Sequence, residues 1–288
     1  STGVLDPQGN IFAYPPSATF NFLVDSYFVD TIRQFPDVEP GDVILTNDPY
    51  LSGGLSTHLP DFQVLRPYFV GDRLIGYGWS FVHCADVGGA VPTSMSPALT
   101  DIFQEGIRIP PLKLVKGGEI SKDILAMIRA NSRVPETTVG DLKAMLGALS
   151  VGEIRFNELA QRFGLDDIVQ SSQDLQDYAA AKARDVFRKI PDGAYEFWDY
   201  MDDDFVSRVP IRIRVRMTVN DGLIDIDLTG TDPQVKSAYN VPSMGQRIYW
   251  LTFRLTNFLT TFDPSIPKNA GMFRDVKVTN QKGSIFYA

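Results

Sequence analysis

The chain has 288 residues, 44% of them hydrophobic and 22% charged, which suits one large globular domain or two ordinary ones with a real core. A net charge of −8 argues against a nucleic-acid footprint or an anionic membrane surface, since both need clustered Lys and Arg, and it leaves proteins and small molecules as partners. The single cysteine, Cys84, excludes an intrachain disulfide and a cysteine-rich zinc ribbon. With no basic-then-apolar leader and no apolar run near the roughly 18 residues of a membrane span, a cytoplasmic protein is expected.

In chain order, Ser1 opens a strand that enters a tight turn at residues 6–10, and residues 11–14 read as its return strand. Residues 19–35 predict one helix, because Phe20, Leu23, Val24, Tyr27, Phe28, Thr31 and Ile32 recur at three-and-four spacing until Pro36 and Pro40 end it. Val43, Ile44 and Leu45 form a short strand that delivers Asn47 and Asp48 to its end, and Gly53-Gly54 marks a loop that closely approaches something. Residues 62–69 and 73–83 predict a hairpin around the turn at 70–72. Residues 86–99 form a connection long enough to suggest function, and residues 103–115 read as extended.

Three helices are then predicted over 122–131, 135–163 and 165–190, the second broken by Gly140, Gly147 and Gly152. From Gly193 the period changes to two. Ile211, Ile213 and Val215 alternate with arginines up to the Asn220-Asp221-Gly222 turn, and Ile224, Ile226 and Leu228 alternate with Asp225 and Asp227. A last helix over 246–259 and a strand over 276–278 complete an α+β chain. Its expected divisions are 1–120 with the site, 121–191 helical and 192–288 β-rich. Because Ser1 opens mid-pattern and Ala288 closes within a strand-like run, an internal portion of a longer subunit is expected.

The chemistry centres on the only two histidines, His58 and His83, each with an aspartate three positions on, Asp61 and Asp86. His58 and Asp61 lie just before the first hairpin strand and His83 ends the second. An antiparallel return therefore brings the three side chains to one edge. Two imidazoles and one carboxylate make a metal site with open positions, as in hydrolytic zinc or manganese centres or non-haem iron oxygenases. The alternative is that each histidine serves a loop cap or strand end, hydrogen-bonded to its own aspartate. Asp86 and Asp48 are expected beside the metal site as catalytic carboxylates that orient the imidazoles. Cys84 points away from His83 on the strand and makes no dyad with it. No nucleotide-binding loop occurs, so any ATP must be bound by another chain.

The runs Asn47-Asp48-Pro49-Tyr50, Gly53-Gly54, Thr57-His58-Leu59-Pro60-Asp61, His83 with Ala85-Asp86-Val87-Gly88-Gly89, residues 104–111, residues 228–234 and residues 267–271 together resemble the hydantoinase B family. The resemblance spans nearly the whole chain, with several motifs in order. That family includes B-type subunits of ATP-dependent hydantoinases, the matching half of 5-oxoprolinase, and subunits of acetone and acetophenone carboxylases. The resemblance implies a hetero-oligomer with an A-type subunit that binds and cleaves ATP. It also implies that His58, Asp61 and His83 match positions holding a divalent metal in acetone carboxylase relatives; the ion expected here is Mn or Zn. One departure is that a histidine-containing segment of many hydantoinase-type members is replaced here by residues 14–22, rich in aromatics and compatible with an aromatic substrate. The expected reaction is hydrolysis of a cyclic amide such as a hydantoin or lactam. Carboxylation of a ketone, a non-catalytic scaffold with a structural metal, and an iron oxygenase are the alternatives.

Overall fold

The computed structural model describes residues 1–15 and 21–288. Its architecture is α+β, as the sequence predicts. Strands β1 (Thr2–Leu5), β2 (Ile11–Ala13), β3 (Val43–Thr46), β4 (Asp61–Val70), β5 (Arg73–His83), β6 (Leu112–Lys116) and β7 (Glu119–Ile120) form one antiparallel sheet, ordered β2-β1-β5-β4-β3-β6-β7. Strands β8 (Gly193–Met201), β9 (Ile211–Asn220), β10 (Leu223–Asp227) and β11 (Val276–Thr279) form a second, ordered β11-β10-β9-β8. The β9–β10 turn places Asp221 and Gly222 at φ +47° and +77°, the left-handed pair a two-residue hairpin requires.

Both faces of the central hairpin are covered, which explains the nearly continuous burial of β4 and β5. On one face Phe62 and Val64 pack with Val139, Leu142, Met145 and Leu149 of α3 (Pro135–Phe163), with α2 (Lys122–Asn131) beside them. On the other face Leu65, Tyr77, Trp79 and Phe81 join Ala179 and Phe187 of α4 (Leu165–Phe187), Val219 of β9, Val276 of β11 and Tyr249 of α5 (Tyr249–Phe262). This core runs through all three stretches of the chain. Trp79 is fully buried, meets Phe28 edge-on at 5.3 Å, and donates to Gln63 Oε1 at 2.8 Å.

Two helix expectations are corrected. α3 runs unbroken through its three glycines: Gly140 and Gly147 face open space, while Gly152 makes room for the Tyr68 hydroxyl, which donates to the Leu149 carbonyl at 2.9 Å. Packing of the buried face outweighs the roughly 1 kcal/mol each glycine costs. The expected helix over 19–35 lies partly outside the described residues. Within them it is two pieces, a 3₁₀ turn at Asn21–Asp25 and α1 (Val29–Arg33). Asp25 is buried and bound by Arg247 Nε at 3.1 Å and Thr252 Oγ1 at 2.7 Å, so the backbone turns to aim that carboxylate at α5. Among the described residues no helix is long and apolar enough to cross a membrane.

Tyr68→Phe is expected to lower unfolding free energy by about 1 kcal/mol, the usual worth of one buried hydrogen bond. Urea denaturation checks it; an unchanged midpoint would show that the hydroxyl adds nothing to the α3 contact.

Candidate metal centre

The hairpin register sets Asp61 directly opposite His83. Both belong to the face that carries Trp79, Phe81 and Leu65, by the alternation of the strands. His58 is brought back by a turn in which the Asp61 N–H donates to the His58 carbonyl at 3.2 Å and the Cys84 N–H to the Pro60 carbonyl at 2.8 Å. As a result His58 Nε2 lies 2.8 Å from Asp61 Oδ1, His83 Nδ1 lies 3.1 Å from the same oxygen, and the two ring nitrogens are 3.1 Å apart. Cys84 is buried on the opposite side with Leu59 and Val87, and burial pushes its thiol up, away from thiolate chemistry.

Charge binds this group together. Burial disfavours the charged form of Asp61, but hydrogen bonds and attraction from His58 and His83 outweigh it and hold the carboxyl below its usual range. Burial likewise works against the His58 cation, and Asp61 overcomes it, so the imidazole is raised.

The three donor atoms fit one ion. Bonds of about 2.1 Å meeting at right angles hold ligand atoms about 3.0 Å apart, close to the three separations found here. Protons alone satisfy the arrangement poorly: if both nitrogens donate to Asp61 Oδ1, two N–H groups face each other. A cation shared by all three removes that conflict. The donor set of two nitrogens and one carboxylate oxygen suits zinc, manganese or iron.

Asp48 and Asp86 do not orient the imidazoles, and that expectation is corrected. Asp48 accepts from Arg108 Nε at 2.7 Å and from the Tyr50 and Leu51 amides. Asp86 accepts from Arg133 Nη1 at 3.0 Å and from the amides of Gly88, Thr93 and Arg133. Each carboxylate is committed to a cation and to the loop it pins. The glycine loops approach the chain's own backbone. A Cβ on Gly89, at φ +81°, would collide with the Gln104 carbonyl, and one on Gly54, at φ +87°, would press on the Pro242 carbonyl.

Sequence reasoning gave no role to the residues that complete the surroundings. Glu105 accepts from the Leu59 N–H at 3.0 Å, and burial raises its carboxyl against the pull of that bond and of His58. Trp250 donates to Thr57 Oγ1 at 3.1 Å. Glu105 stands inside a quoted motif and Trp250 lies within a predicted helix, but neither spacing connects them to His58. His58, Thr57, Glu105 and Trp250 line one cavity of about 670 Å³ beside the triad.

The model of the Hydantoinase B/oxoprolinase family matches residues 1–288. Caprolactamase subunit beta of Pseudomonas jessenii is 31% identical over 84% of this chain and 40% of its own length. The 5-oxoprolinase PfmaA of Pestalotiopsis fici is 31% identical over 86% of this chain and 19% of its own. The crystal structure of ATP-dependent caprolactamase from Pseudomonas jessenii covers 100% of this chain and 49% of its own, with a TM-score of 0.85 and 25% identity. Nucleotide-free acetone carboxylase has a TM-score of 0.87 at 17% identity over 100% of this chain and 39% of its own, a likeness of fold. The chain spans less than half the length of the curated relatives it matches. By the match along its whole length, the chain belongs to the hydantoinase B/oxoprolinase family.

Proposed function

We propose that this chain is the B-type portion of an ATP-dependent enzyme that opens a cyclic amide at a divalent-metal site formed by His58, Asp61 and His83. The observation that carries the reading is the convergence of their three donor atoms at separations of 2.8 to 3.1 Å. A divalent ion held there supplies Lewis-acid polarisation of a carbonyl oxygen. Asp61 contributes the anionic ligand, and the two imidazoles fix its position. Glu105, raised by burial, holds or moves a proton at its carboxyl beside that centre. Asp48 and Asp86 keep the flanking loops in place through Arg108 and Arg133.

Support for amide opening over ketone carboxylation comes from the relatives: two that are 31% identical carry names of cyclic-amide enzymes, whereas the carboxylase likeness is one of fold. ATP is bound by an A-type partner subunit, and the assembly is a cytoplasmic hetero-oligomer. The test is elemental analysis of the assembled enzyme together with ATP consumption on hydantoin, oxoproline and caprolactam, set against acetone or acetophenone with bicarbonate. The expected result is a stoichiometric divalent ion and turnover of a cyclic amide that stops on chelation and returns with metal. Turnover of a ketone alone replaces the proposed reaction with carboxylation, and full turnover in metal-free enzyme removes the metal site.

A further inference from the structure

Strand β8 closes one edge of the second sheet, where among the described residues it pairs only with β9, and every residue from Gly193 to Tyr200 is exposed. The antiparallel register sets Tyr195, Phe197 and Asp199 beside Met217, Val215 and Ile213, on the face that enters the core farther along the sheet at Val219, Ile224 and Val276. That apolar face therefore runs on past the residues that bury it and ends on rings in solvent. Phe197 is 65% exposed, and Trp198 and Tyr200 are more than half exposed on the opposite face. A nine-residue edge with unpaired backbone groups and apolar rings is a template for another strand, and folded chains keep such edges covered.

Charge selects the strand. Residues 193–207 hold five acids, Glu196, Asp199 and the run Asp202-Asp203-Asp204, and no lysine or arginine. Glu196 is paired with Arg214 Nε at 2.7 Å, while Asp199 and Asp203 accept only the nearby amides of Tyr200 and Phe205. Two copies of this chain joined edge to edge would lay acid along acid, which is unfavourable in a ladder. A strand that carries lysine or arginine is complementary.

The same surface leads to the candidate metal centre. Phe205, 64% exposed, sits at φ +61°, a left-handed conformation that costs a phenylalanine energy, and its ring meets that of Tyr239 at 5.8 Å. Tyr239 lines the cavity beside His58. A chain lying on β8 thus reaches the wall of that cavity by way of Phe205, as a subunit that uses ATP on behalf of this site must.

Resting on the two-subunit reading above, we infer that β8 and residues 202–207 form the docking edge for an extended, basic and apolar segment of the ATP-binding partner subunit, which joins the sheet as a fifth strand. Its apolar side chains cover Tyr195 and Phe197. Its lysine or arginine side chains meet Asp199 and stack on Trp198 and Tyr200.

Hydrogen exchange of the full subunit, followed by mass spectrometry when free and in the assembled enzyme, reads the added strand directly, because the β8 amides that point away from β9 lack a backbone acceptor until it arrives. Residues 193–201 are expected to exchange at least about 10-fold more slowly in the assembly. Phe197→Ala is expected to weaken association of the two subunits at least about 30-fold, the effect of removing a central interface anchor, while the free subunit keeps its melting temperature because the ring is exposed there. Asp199→Lys is expected to weaken association about 10-fold at low salt and less at high salt. Slow exchange of residues 193–201 already in the free subunit overturns the inference, since the covering strand then belongs to the same subunit or to a second copy. An assembly in which this strand exchanges freely, or in which both variants associate as tightly as wild type, overturns the docking edge and leaves the two-subunit reading standing. Absence of any complex with the ATP-binding subunit overturns both.

Discussion

His58→Ala is expected to reduce turnover of the assembled enzyme by about 1,000-fold or more, which corresponds to about 4 kcal/mol of lost transition-state stabilisation, while the protein remains folded. The size follows from the donor set. His58 Nε2 is one of three atoms gathered within 3.1 Å of one another, and Asp61 with His83 alone make an incomplete site. Folding is affected less because His58 lies on a turn, half-buried, and its removal opens space to solvent rather than in the core. Asp61 keeps the His83 contact. The measurement is turnover per folded molecule, with circular dichroism and metal content read on the same sample. A scaffold subunit gives the opposite pattern, with a marked fall in melting temperature and no change in turnover per folded molecule. Retained metal and retained turnover in the variant would sink the ligand assignment.

Asp86→Ala is expected to act through stability, by about 3 kcal/mol. Its carboxylate is buried and accepts from the amides of Gly88, Thr93 and Arg133 at 2.9, 3.0 and 3.0 Å. The substitution removes the acceptor from three backbone N–H groups and from the Arg133 guanidinium, at about 1 kcal/mol for each lost backbone bond. For a chain of this size that lowers the melting temperature by roughly 6–12 °C. The pH dependence has a definite sign. Burial alone would raise the Asp86 carboxyl, but the Arg133 and Gly88 amides and the Arg133 side chain outweigh it, and the group is lowered. A lowered carboxylate contributes stability above its unfolded value, near 3.9, and loses it as pH falls through the folded one. Wild type and Asp86→Ala should therefore differ fully at pH 7 and converge in strong acid. Urea denaturation at pH 7 and at pH 3 measures both gaps; equal gaps would mean that Asp86 is not held as a carboxylate.

How far this was visible in the sequence depends on the distance over which each contact is specified. The convergence of His58, Asp61 and His83 was readable in outline, because an antiparallel return from the turn at Gly71-Asp72 brings both strand ends to one edge, but the pairing of Asp61 with His83 also depends on a register shift between Tyr68 and Phe69 that no local signal marks. The partners of Asp48 and Asp86 were not, since Arg108 and Arg133 lie 60 and 47 positions away and nothing in either spacing selects them. The single helix expected over 19–35 failed for a related reason. Its apolar spacing was genuine, with Leu23, Val24 and Phe28 all buried, but the demand of Asp25 for Arg247, 222 positions away, broke it. The glycines of α3 misled in the other direction, because propensity is a weak prior beside a buried face. Trp250 reaches the cavity by long-range packing, and no local pattern marks it.

Tyr68 has an evolutionary consequence. Its ring occupies space vacated by two missing side chains, at Gly78 on the facing strand and at Gly152 on the covering helix. Any β-carbon at either glycine meets that ring, and any smaller residue at 68 leaves a void between strand and helix. Drift at these three positions is thereby tied: relatives should carry the bulky phenol with both glycines, or exchange all three in concert.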